Sequence, residues 1–412
     1  MDDDVRRVVI VGASLGGASV AAALRERDFA GEVVLIGEEL LRPYERPSLS
    51  KSYLAGQDET PTFVHDEGYY DDHDIRLNLG VTVTAIDRAA RTVQLAGGGS
   101  EPYDRLVLAT GSRPRRLGVR GADLEGVVTL HSAGDSDRMR ERSRAAGNAV
   151  VVGAGWIGCE VAASLRQSSV EITLIDPLEA PLARVLGAEV GHQFAELHRA
   201  HGVDLRMGTG VTEILGSGAA TGVRLEPGDV LDAELVVVGI GATPRIELAE
   251  AAGLDLRLGG VRTDARLRTS DPAIYAIGDI AAMYHPLYGT EVRVEHWANA
   301  KDQGAYLAES ILGDAKDYAR PPFVYSDQYD LGMEYRGWVD PSVPAEVVIR
   351  GKPGEGGEGG WFAFWLQDGR VQAGMNVNEW DDGDAIERLV TVRPRLKAAR
   401  LASLDVPLGE MV

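Results

Sequence analysis

The sequence predicts an α/β protein with two Rossmann-like dinucleotide-binding domains and a C-terminal α+β domain. Two segments, beginning at Arg7 and Ala149, each contain an apolar strand, a glycine-rich turn, an alanine-rich helix, a second apolar strand and an acidic residue. This order is typical of a dinucleotide-binding βαβ unit, in which backbone N–H groups meet a pyrophosphate at a helix N-terminus. From about residue 320 onward, aromatic and Gly-rich segments favour an antiparallel sheet with hairpins.

The first unit departs slightly from the three-glycine pattern. Gly12, Ser14 and Gly17 occupy the three positions, and Ser14 stands where the backbone approaches the phosphates most closely. Gly16 adds freedom to the same turn, and Glu38 follows the second strand as the candidate acceptor for a ribose hydroxyl. The alternative is that this segment is only a tight strand–helix turn of an α/β fold.

The second unit has the complete pattern. Gly153, Gly155 and Gly158 fill the glycine positions, and Asp176 ends the second strand. A carboxylate there disfavours a 2′-phosphate, so the residues favour NADH over NADPH, although Arg184 offers a possible phosphate partner. Two βαβ units of this kind indicate two dinucleotides and electron transfer between them.

Composition excludes several classes of protein. With 412 residues the chain should form two or three domains. Its 42 basic and 63 acidic residues give a net charge of −21, which argues against nucleic acid or an anionic membrane as a partner. The N-terminal MDDDVRR leads directly into a predicted strand, and no apolar run is long enough for a membrane span. We therefore expect a cytoplasmic protein.

Cys159 is the only cysteine, so the chain can form no internal disulfide and no Cys-x-x-Cys redox pair. We expect Cys159 to pack as a small apolar side chain at the start of a helix. Two-electron chemistry must then pass through a cofactor and not through a protein dithiol.

Four later segments add local predictions. Buried strands break into turns at 103–114 and again in ELVVVGIGATPR. Residues 261–281 return to a strand that ends at Asp279, and we expect Asp279 to precede an apolar helix, with an N-cap as its alternative role. GEGGEGG at 354–360 predicts a hairpin tip.

The two dinucleotide-binding units and five further segments together resemble the pyridine nucleotide-disulfide oxidoreductase superfamily. The two units, LATGSRP at 108–114 and TSDPAIYAIGD at 269–279 match the superfamily as a whole. RPYERPSLSKSYLAG at 42–56, EHWANAKDQG at 295–304 and YSDQYDLGMEYRG at 325–337 resemble a narrower group, the NADH-dependent ferredoxin reductases of oxygenase systems. The resemblance covers essentially the whole chain.

The resemblance implies a glutathione reductase-like fold. It comprises an FAD domain at 1–114 and 246–319, an NAD domain at 115–245 and a C-terminal α+β interface domain at 320–412. It also implies that NADH reduces FAD and that electrons then pass singly to a [2Fe–2S] ferredoxin serving a P450 or Rieske oxygenase. A monomer or weak homodimer is expected. The alternatives are an NADH oxidase, a rubredoxin reductase, or an NADH-responsive flavoprotein resembling apoptosis-inducing factor.

The implied FAD site combines the first glycine turn with several later segments. Lys51 is expected beside the N5 edge of the flavin, and its alternative is an ordinary surface lysine. Asp279 would bind the ribityl chain, and Trp297 would pack on the flavin face opposite the nicotinamide. The implied residues are Gly12, Ser14, Leu15, Gly16, Gly17, Glu38, Arg46, Pro47, Lys51, Val83, Ala109, Thr110, Gly111, Asp279 and Trp297.

The implied NAD site lies on the second unit. Glu160 matches a family glutamate beside the nicotinamide and is a candidate partner of Lys51. Its alternative is a first-turn carboxylate that interacts with the helix dipole. The implied residues are Gly153, Gly155, Ile157, Gly158, Glu160, Asp176, Gly239 and Gly241.

An acidic ferredoxin would need a local basic patch on this acidic chain. The alternative for any such cluster is a solvated surface. The two candidate clusters are Arg113, Arg115 and Arg116, and Arg393, Arg395, Lys397 and Arg400.

Overall fold

The computed structural model describes residues 5–226, 228–313, 315–354 and 359–412. The strands are β1 (Arg7–Val11), β2 (Glu32–Ile36), β3 (Ile75–Asn78), β4 (Val83–Asp87), β5 (Thr92–Leu95), β6 (Ser100–Pro102), β7 (Arg105–Leu108), β8 (Ser112–Pro114), β9 (Val127–Val128), β10 (Asn148–Val152), β11 (Glu171–Asp176), β12 (Asp204–Met207), β13 (Val211–Ser217), β14 (Ala219–Leu225), β15 (Val230–Asp232), β16 (Leu235–Val238), β17 (Ala242–Pro244), β18 (Leu256–Arg257), β19 (Gly260–Thr263), β20 (Ile274–Ala276), β21 (Ala281–His285), β22 (Thr290–Val292), β23 (Phe323–Gln328), β24 (Leu331–Gly337), β25 (Glu346–Gly351), β26 (Trp361–Gln367) and β27 (Arg370–Val377). The helices are α1 (Leu15–Glu26), α2 (Tyr69–Asp72), α3 (Ala133–Ser143), α4 (Trp156–Gln167), α5 (Ala183–Leu186), α6 (Ala188–Ala200), α7 (Glu247–Ala251), α8 (Trp297–Leu312), α9 (Gly383–Val392) and α10 (Ala398–Ala402).

The chain forms two compact units. The first comprises Met1–Glu45, Thr62–Arg113 and Thr243–Pro322. Its centre is a parallel sheet of strand order β20-β7-β1-β2-β3. Alternate residues of β1 enter separate cores, with Val8 in one and Val9 in the other, and both are fully buried. Burial on both faces explains why this strand is an unbroken apolar run.

Helices α1 and α8 pack against each other in the core of the first unit. A Cβ atom on Gly304 of α8 would lie 2.6 Å from the backbone oxygen of Gly16 and 2.7 Å from the Cβ atom of Ser19. Glycine at this position therefore lets the two helix backbones approach closely. The contact fixes α1, whose N-terminus follows the first glycine turn, against the helix that begins at Trp297.

The prediction of a helix after Asp279 was wrong. Asp279 lies in a 3₁₀ turn, Gly278–Ile280, and the next element is strand β21. Strand β21 pairs with β19 in parallel and with β22 in antiparallel orientation. A short apolar run such as this one does not distinguish a helix from a strand by periodicity, so pairing partners far away in the chain decide the outcome.

The second unit comprises Arg46–Pro61, Pro114–Ala242 and Phe323–Val412. It contains a parallel sheet of strand order β12-β11-β10-β16-β9. The residues of β10 alternate between two cores, as in the first unit. Segment 46–61 was assigned by sequence to the FAD domain, and its contacts lie within the second unit. The three-domain division itself stays a prediction.

The C-terminal region forms the predicted antiparallel sheet, with strand order β23-β24-β27-β26-β25. On β26, Trp361 and Trp365 belong to the core shared with the parallel sheet, whereas Phe364 belongs to a separate core with α9 and α10. The sheet is therefore buried on both faces. Residues 355–358 of the predicted hairpin tip lie outside the described residues.

Within the described part of the chain, no helix has the length and apolar character needed to cross a membrane.

Candidate functional site

The first glycine turn joins β1 to α1 and has no room for a side chain at Gly12 or Gly17. Gly12 has φ +118°, and a Cβ atom there would lie 2.0 Å from the backbone oxygen of Ala109. A Cβ atom on Gly17 would lie 2.0 Å from the oxygen of Gly12. Ser14 is the N-cap of α1, but its side chain makes no capping hydrogen bond. The uncapped N–H groups suit a pyrophosphate, so this turn fits the predicted FAD site.

Glu38 forms a two-pronged ion pair with Arg245. Nη1 of Arg245 contacts Oε1 of Glu38, and Nη2 donates to Oε2 at 2.8 Å. The Arg245 backbone is tied to the second predicted FAD segment, because its oxygen accepts from Oγ1 of Thr110 at 2.7 Å and its N–H donates to Gly111 at 2.9 Å. The predicted ribose acceptor is thus held in place by an arginine absent from the sequence-based site.

The remaining predicted FAD residues of the first unit lie on separate elements. The Asp279 backbone oxygen accepts from Nη1 of Arg293 at 3.1 Å. Trp297 is the first residue of α8, and Nζ of Lys301 lies 4.8 Å from its ring centroid. Val83 begins β4 and is buried. Their contact with FAD stays a prediction.

The second glycine turn repeats this geometry. Gly153 has φ +104°, and a Cβ atom on it would lie 2.5 Å from the backbone oxygen of Gly239. A Cβ atom on Gly158 would lie 1.8 Å from the oxygen of Gly153, so α4 packs directly on the turn. Gly155, the N-cap of α4, faces open space. Packing requires glycine at 153 and 158, whereas Gly155 leaves open space beside the turn. This space fits a dinucleotide pyrophosphate.

Asp176 is held by the backbone at the end of β11. Its Oδ2 accepts from the N–H of Ala154 at 2.8 Å, and its Oδ1 accepts from the N–H of Leu178 at 2.8 Å. Each oxygen keeps a lone pair for a further donor, as a ribose hydroxyl requires. Arg184 is exposed on the short helix α5.

Two other predicted NAD residues lie beside this turn. Ile157 is 45% exposed although it is large and apolar, which is consistent with a surface that a ligand covers. Gly241 has φ +101°, a conformation that other residues rarely adopt. Their contact with NAD stays a prediction.

The predicted catalytic residues meet in the second unit. Nζ of Lys51 lies 3.4 Å from Oε1 of Glu160 and 3.3 Å from Oδ2 of Asp327. The same nitrogen lies 4.5 Å from the ring centroid of Tyr325. The lysine suggested by the sequence is therefore paired with the glutamate suggested by the sequence, and a second carboxylate and an aromatic face complete its surroundings.

Glu160 is buried in the middle of α4. Its Oε2 accepts from Oγ of Ser50 at 2.5 Å, and its Oε1 accepts from Oγ of Ser326 at 2.7 Å. Burial raises the pKa of the Glu160 carboxyl, and the Lys51 charge and the two serine hydroxyls partly offset this rise. The first turn of α4 contains no acidic residue, so the alternative of a first-turn carboxylate was wrong.

Arg46 and Pro47 lie in the 3₁₀ turn Arg46–Ser50 that leads to Lys51. Nη1 of Arg46 donates to the backbone oxygen of His131 and lies 3.4 Å from Nδ1 of the same histidine. Oγ of Ser164 donates to the backbone oxygen of Ser50 at 2.6 Å, which fixes the turn on α4. These contacts position Lys51.

Sequence reasoning missed four residues of this cluster: Ser50, Tyr325, Ser326 and Asp327. All four lie within segments 42–56 and 325–337, whose resemblance to the family had been noted without roles for these side chains. Cys159 packs fully buried in α4, as predicted, and burial raises the pKa of its thiol.

Two family models together match most of the chain. The model of the pyridine nucleotide-disulphide oxidoreductase family matches residues 6–304, and that of the reductase C-terminal domain matches residues 323–412.

Two curated relatives and one solved structure are similar over nearly the whole chain. The ferredoxin–NAD(+) reductase component of the anthranilate 1,2-dioxygenase system of Burkholderia cepacia is 40% identical, with 97% of this chain and 98% of the relative covered. Rhodocoxin reductase of Rhodococcus erythropolis is 37% identical, with 97% and 93% covered. The structure of a covalent putidaredoxin reductase–putidaredoxin complex superposes with a TM-score of 0.93 at 35% identity and covers 98% of this chain and 97% of that chain. This chain therefore belongs to the pyridine nucleotide-disulphide oxidoreductase family and is an NAD-dependent FAD enzyme.

Proposed function

We propose that this enzyme passes electrons from NADH through FAD, one at a time, to a [2Fe–2S] ferredoxin that serves a P450 or Rieske oxygenase. The observation that carries the proposal is the pair of closed glycine turns, one in each unit, in a chain whose single cysteine is buried. Two dinucleotide sites without a dithiol require an acceptor outside the chain. FAD, when bound, supplies the ability to accept a hydride and release single electrons.

The names of the relatives support the class of acceptor. One relative is named as a ferredoxin–NAD(+) reductase component of a dioxygenase system, and another is a rhodocoxin reductase. A third, a putidaredoxin reductase, forms a covalent complex with putidaredoxin. We extend to this chain a ferredoxin partner, a cytoplasmic location and a monomeric or weakly dimeric state.

Several of the predicted residues have a proposed task. Backbone N–H groups at the start of α1 and α4 bind the two pyrophosphates, and Glu38 and Asp176 accept from ribose hydroxyls. Lys51 provides a cation for the electron-rich edge of the flavin, and Glu160 keeps that cation oriented. Asp176 selects NADH because it would face the 2′-phosphate of NADPH.

The test is a comparison of acceptors with the purified yellow holoenzyme. NADH-dependent reduction of cytochrome c should be slow alone and should increase strongly when a [2Fe–2S] ferredoxin is added. Rapid oxygen consumption without ferredoxin would instead indicate an NADH oxidase, and a preference for rubredoxin would indicate a rubredoxin reductase. Slow turnover with every acceptor would favour an NADH-responsive binding flavoprotein. Purified protein that is colourless and cannot be reconstituted with FAD would overturn the proposal as a whole.

A further inference from the structure

A row of buried polar side chains leads away from Glu160 inside the second unit. Ser326, Gln328 and His198 are each at most 1% exposed. Oγ of Ser326 donates to Oε1 of Glu160 at 2.7 Å, and Nε2 of Gln328 donates to that Oγ at 3.3 Å. Nε2 of His198 lies 3.0 Å from Oε1 of Gln328, and the hydroxyl of Tyr329 lies 3.4 Å from Nδ1 of His198. The predicted catalytic pair does not account for this row.

With the amide of Gln328 oriented as in this structure, the chemistry of each group sets the direction of these hydrogen bonds. The amide oxygen of Gln328 can only accept, so Nε2 of His198 carries the proton. Nδ1 of His198 is then an acceptor for the Tyr329 hydroxyl. Every hydrogen bond in the row therefore donates toward the carboxylate of Glu160. Hydrogen bonds aligned in this way polarise one another and strengthen the last one.

Protonation of Glu160 on Oε1, the oxygen that faces Ser326, is incompatible with that direction. A protonated Oε1 would donate to Ser326, and Ser326 would then have to donate to the amide oxygen of Gln328. Gln328 would have to rotate its amide by a half turn, and His198 would have to change tautomer. The amide of Gln328 also interrupts any direct proton path, so the row orients donors and does not conduct protons.

Burial raises the pKa of Glu160, whereas the Lys51 charge and the hydroxyls of Ser50 and Ser326 act in the opposite direction and favour its charged form. Burial lowers the pKa of His198 to about 4, so the imidazole stays neutral and keeps the tautomer that the row needs. Among the described residues, the titratable and charged groups near the two ends of the row include Lys51, Asp327, Cys159, His201, Tyr329, Arg166 and Asp330.

We propose that Ser326, Gln328 and His198 are positioning residues, which hold Glu160 as an oriented carboxylate and thereby keep the ammonium group of Lys51 in place. The inference rests on the proposed function for the role of Lys51. The hydrogen-bond row itself is independent of the electron acceptor.

The experiment is an infrared titration of the FAD-loaded protein. The carboxylic acid band of Glu160 is assigned by its disappearance in Glu160→Gln, and its midpoint pH is measured in Ser326→Ala and Gln328→Met. Loss of a charge-assisted hydrogen bond should raise the midpoint in Ser326→Ala by about one pH unit or more. Gln328→Met removes only the polarising neighbour and should cause a smaller rise.

Two further variants separate this effect from general damage. Ser326→Thr keeps the hydroxyl and should restore the wild-type midpoint. Ser143→Ala removes another buried hydroxyl of the second unit, which donates to the backbone oxygen of Arg140 at 3.0 Å, and should leave the midpoint unchanged.

The same variants are then mixed rapidly with NADH across a range of pH. As the pH is lowered, the rate constant of flavin reduction should begin to decrease at a higher pH in Ser326→Ala than in wild type. Midpoints equal to wild type in both Ser326→Ala and Gln328→Met would overturn the inference, even if ferredoxin turnover is normal. Shifted midpoints in a protein that fails to reduce any ferredoxin would instead count against the proposed function alone.

Discussion

Nζ of Lys51 lies 3.4 Å from Oε1 of Glu160, although the two residues belong to segments far apart in the chain. The lysine follows a 3₁₀ turn that is fixed on α4, and the glutamate lies on α4 itself. A buried carboxylate is stable when a cation and hydrogen-bond donors compensate for lost hydration. The pair therefore links the charge of Lys51 to a rigid helix.

Replacement of Lys51 by Met should lower the flavin reduction potential and slow flavin reduction by NADH, while FAD stays bound. Loss of one charge-assisted interaction, roughly 1.5–3 kcal/mol, corresponds to a rate lower by about one to two orders of magnitude. Stopped-flow reduction and a redox titration measure both effects. Lys51→Arg keeps the charge and is the control. Wild-type rates in Lys51→Met would mean that this lysine has no role at the flavin.

The enzyme should prefer NADH, and Asp176 should be the reason. Removal of its charge in Asp176→Asn should narrow the ratio of kcat/KM for NADH to that for NADPH, because a carboxylate near the 2′-phosphate costs up to several kcal/mol. The side chain keeps its size in this variant. Arg184→Gln is the companion variant. If wild type uses both cofactors equally, Arg184 or another part of the site governs selection.

Two glycines of one turn should respond differently to alanine. In Gly155→Ala the new Cβ atom meets nothing within 4 Å, so stability should be unchanged, whereas KM for NADH should rise on the order of tenfold or more because the space is needed by the pyrophosphate. In Gly158→Ala the Cβ atom would lie 1.8 Å from the oxygen of Gly153. That variant should unfold more easily, by roughly 1–3 kcal/mol. An unchanged KM in Gly155→Ala would place the pyrophosphate elsewhere.

Stability should fall in mild acid, with His198 as one cause. In the unfolded chain this histidine takes up a proton near pH 6.5, whereas in the folded protein burial lowers its pKa to about 4. Between these values the unfolded state binds more protons, so the free energy of unfolding decreases as the pH falls. From about pH 7 to about pH 5 the loss should be roughly 2 kcal/mol.

Urea unfolding at several pH values measures this loss. His198→Gln, which cannot titrate, should flatten the dependence by that amount. His192→Gln, an exposed histidine of the same helix, is the matched control and should behave as wild type. Buried His285, whose pKa is also lowered by burial, accounts for part of what remains. Equal slopes in wild type and His198→Gln would contradict the assignment.

Ferredoxin docking should depend on local positive charge and weaken as salt is added. Arg116 is 90% exposed on its side chain, whereas Arg393 donates to Oε1 of Gln372 at 2.5 Å and supports the C-terminal sheet. The test therefore compares two variants. One replaces Arg113, Arg115 and Arg116 by glutamine, and the other replaces Arg395 and Lys397 by glutamine. The KM for ferredoxin should rise on the order of threefold to tenfold in at least one variant.

Turnover with ferricyanide is the control for docking, because a small acceptor needs no protein surface. It should stay near wild type in both variants. If neither variant alters ferredoxin turnover or its response to salt, docking relies on apolar contact.

Local patterns account for what the sequence predicted well. The glycine turns, the apolar strands β1 and β10, and the apolar packing of Cys159 were predicted from patterns within one βαβ unit. Gly158 is an example, because a Cβ atom there would meet the backbone oxygen of Gly153, only five residues earlier. The antiparallel C-terminal sheet was likewise visible in its composition.

Contacts between distant segments account for what the sequence could not reveal. Asp279 lies in a turn before strand β21, which is a strand because it pairs with β19 and β22. The apolar sequence of β21 alone is also compatible with a helix.

By itself, then, the sequence determined two dinucleotide-binding units and the candidates Lys51 and Glu160. Only the tertiary structure decided that Ser326, Gln328 and His198 lead to Glu160, because β23 and α6 contribute them from separate parts of the chain. The direction of a hydrogen bond depends on which donor lies beside which acceptor in the folded protein. A local sequence pattern does not predict such contacts between distant segments.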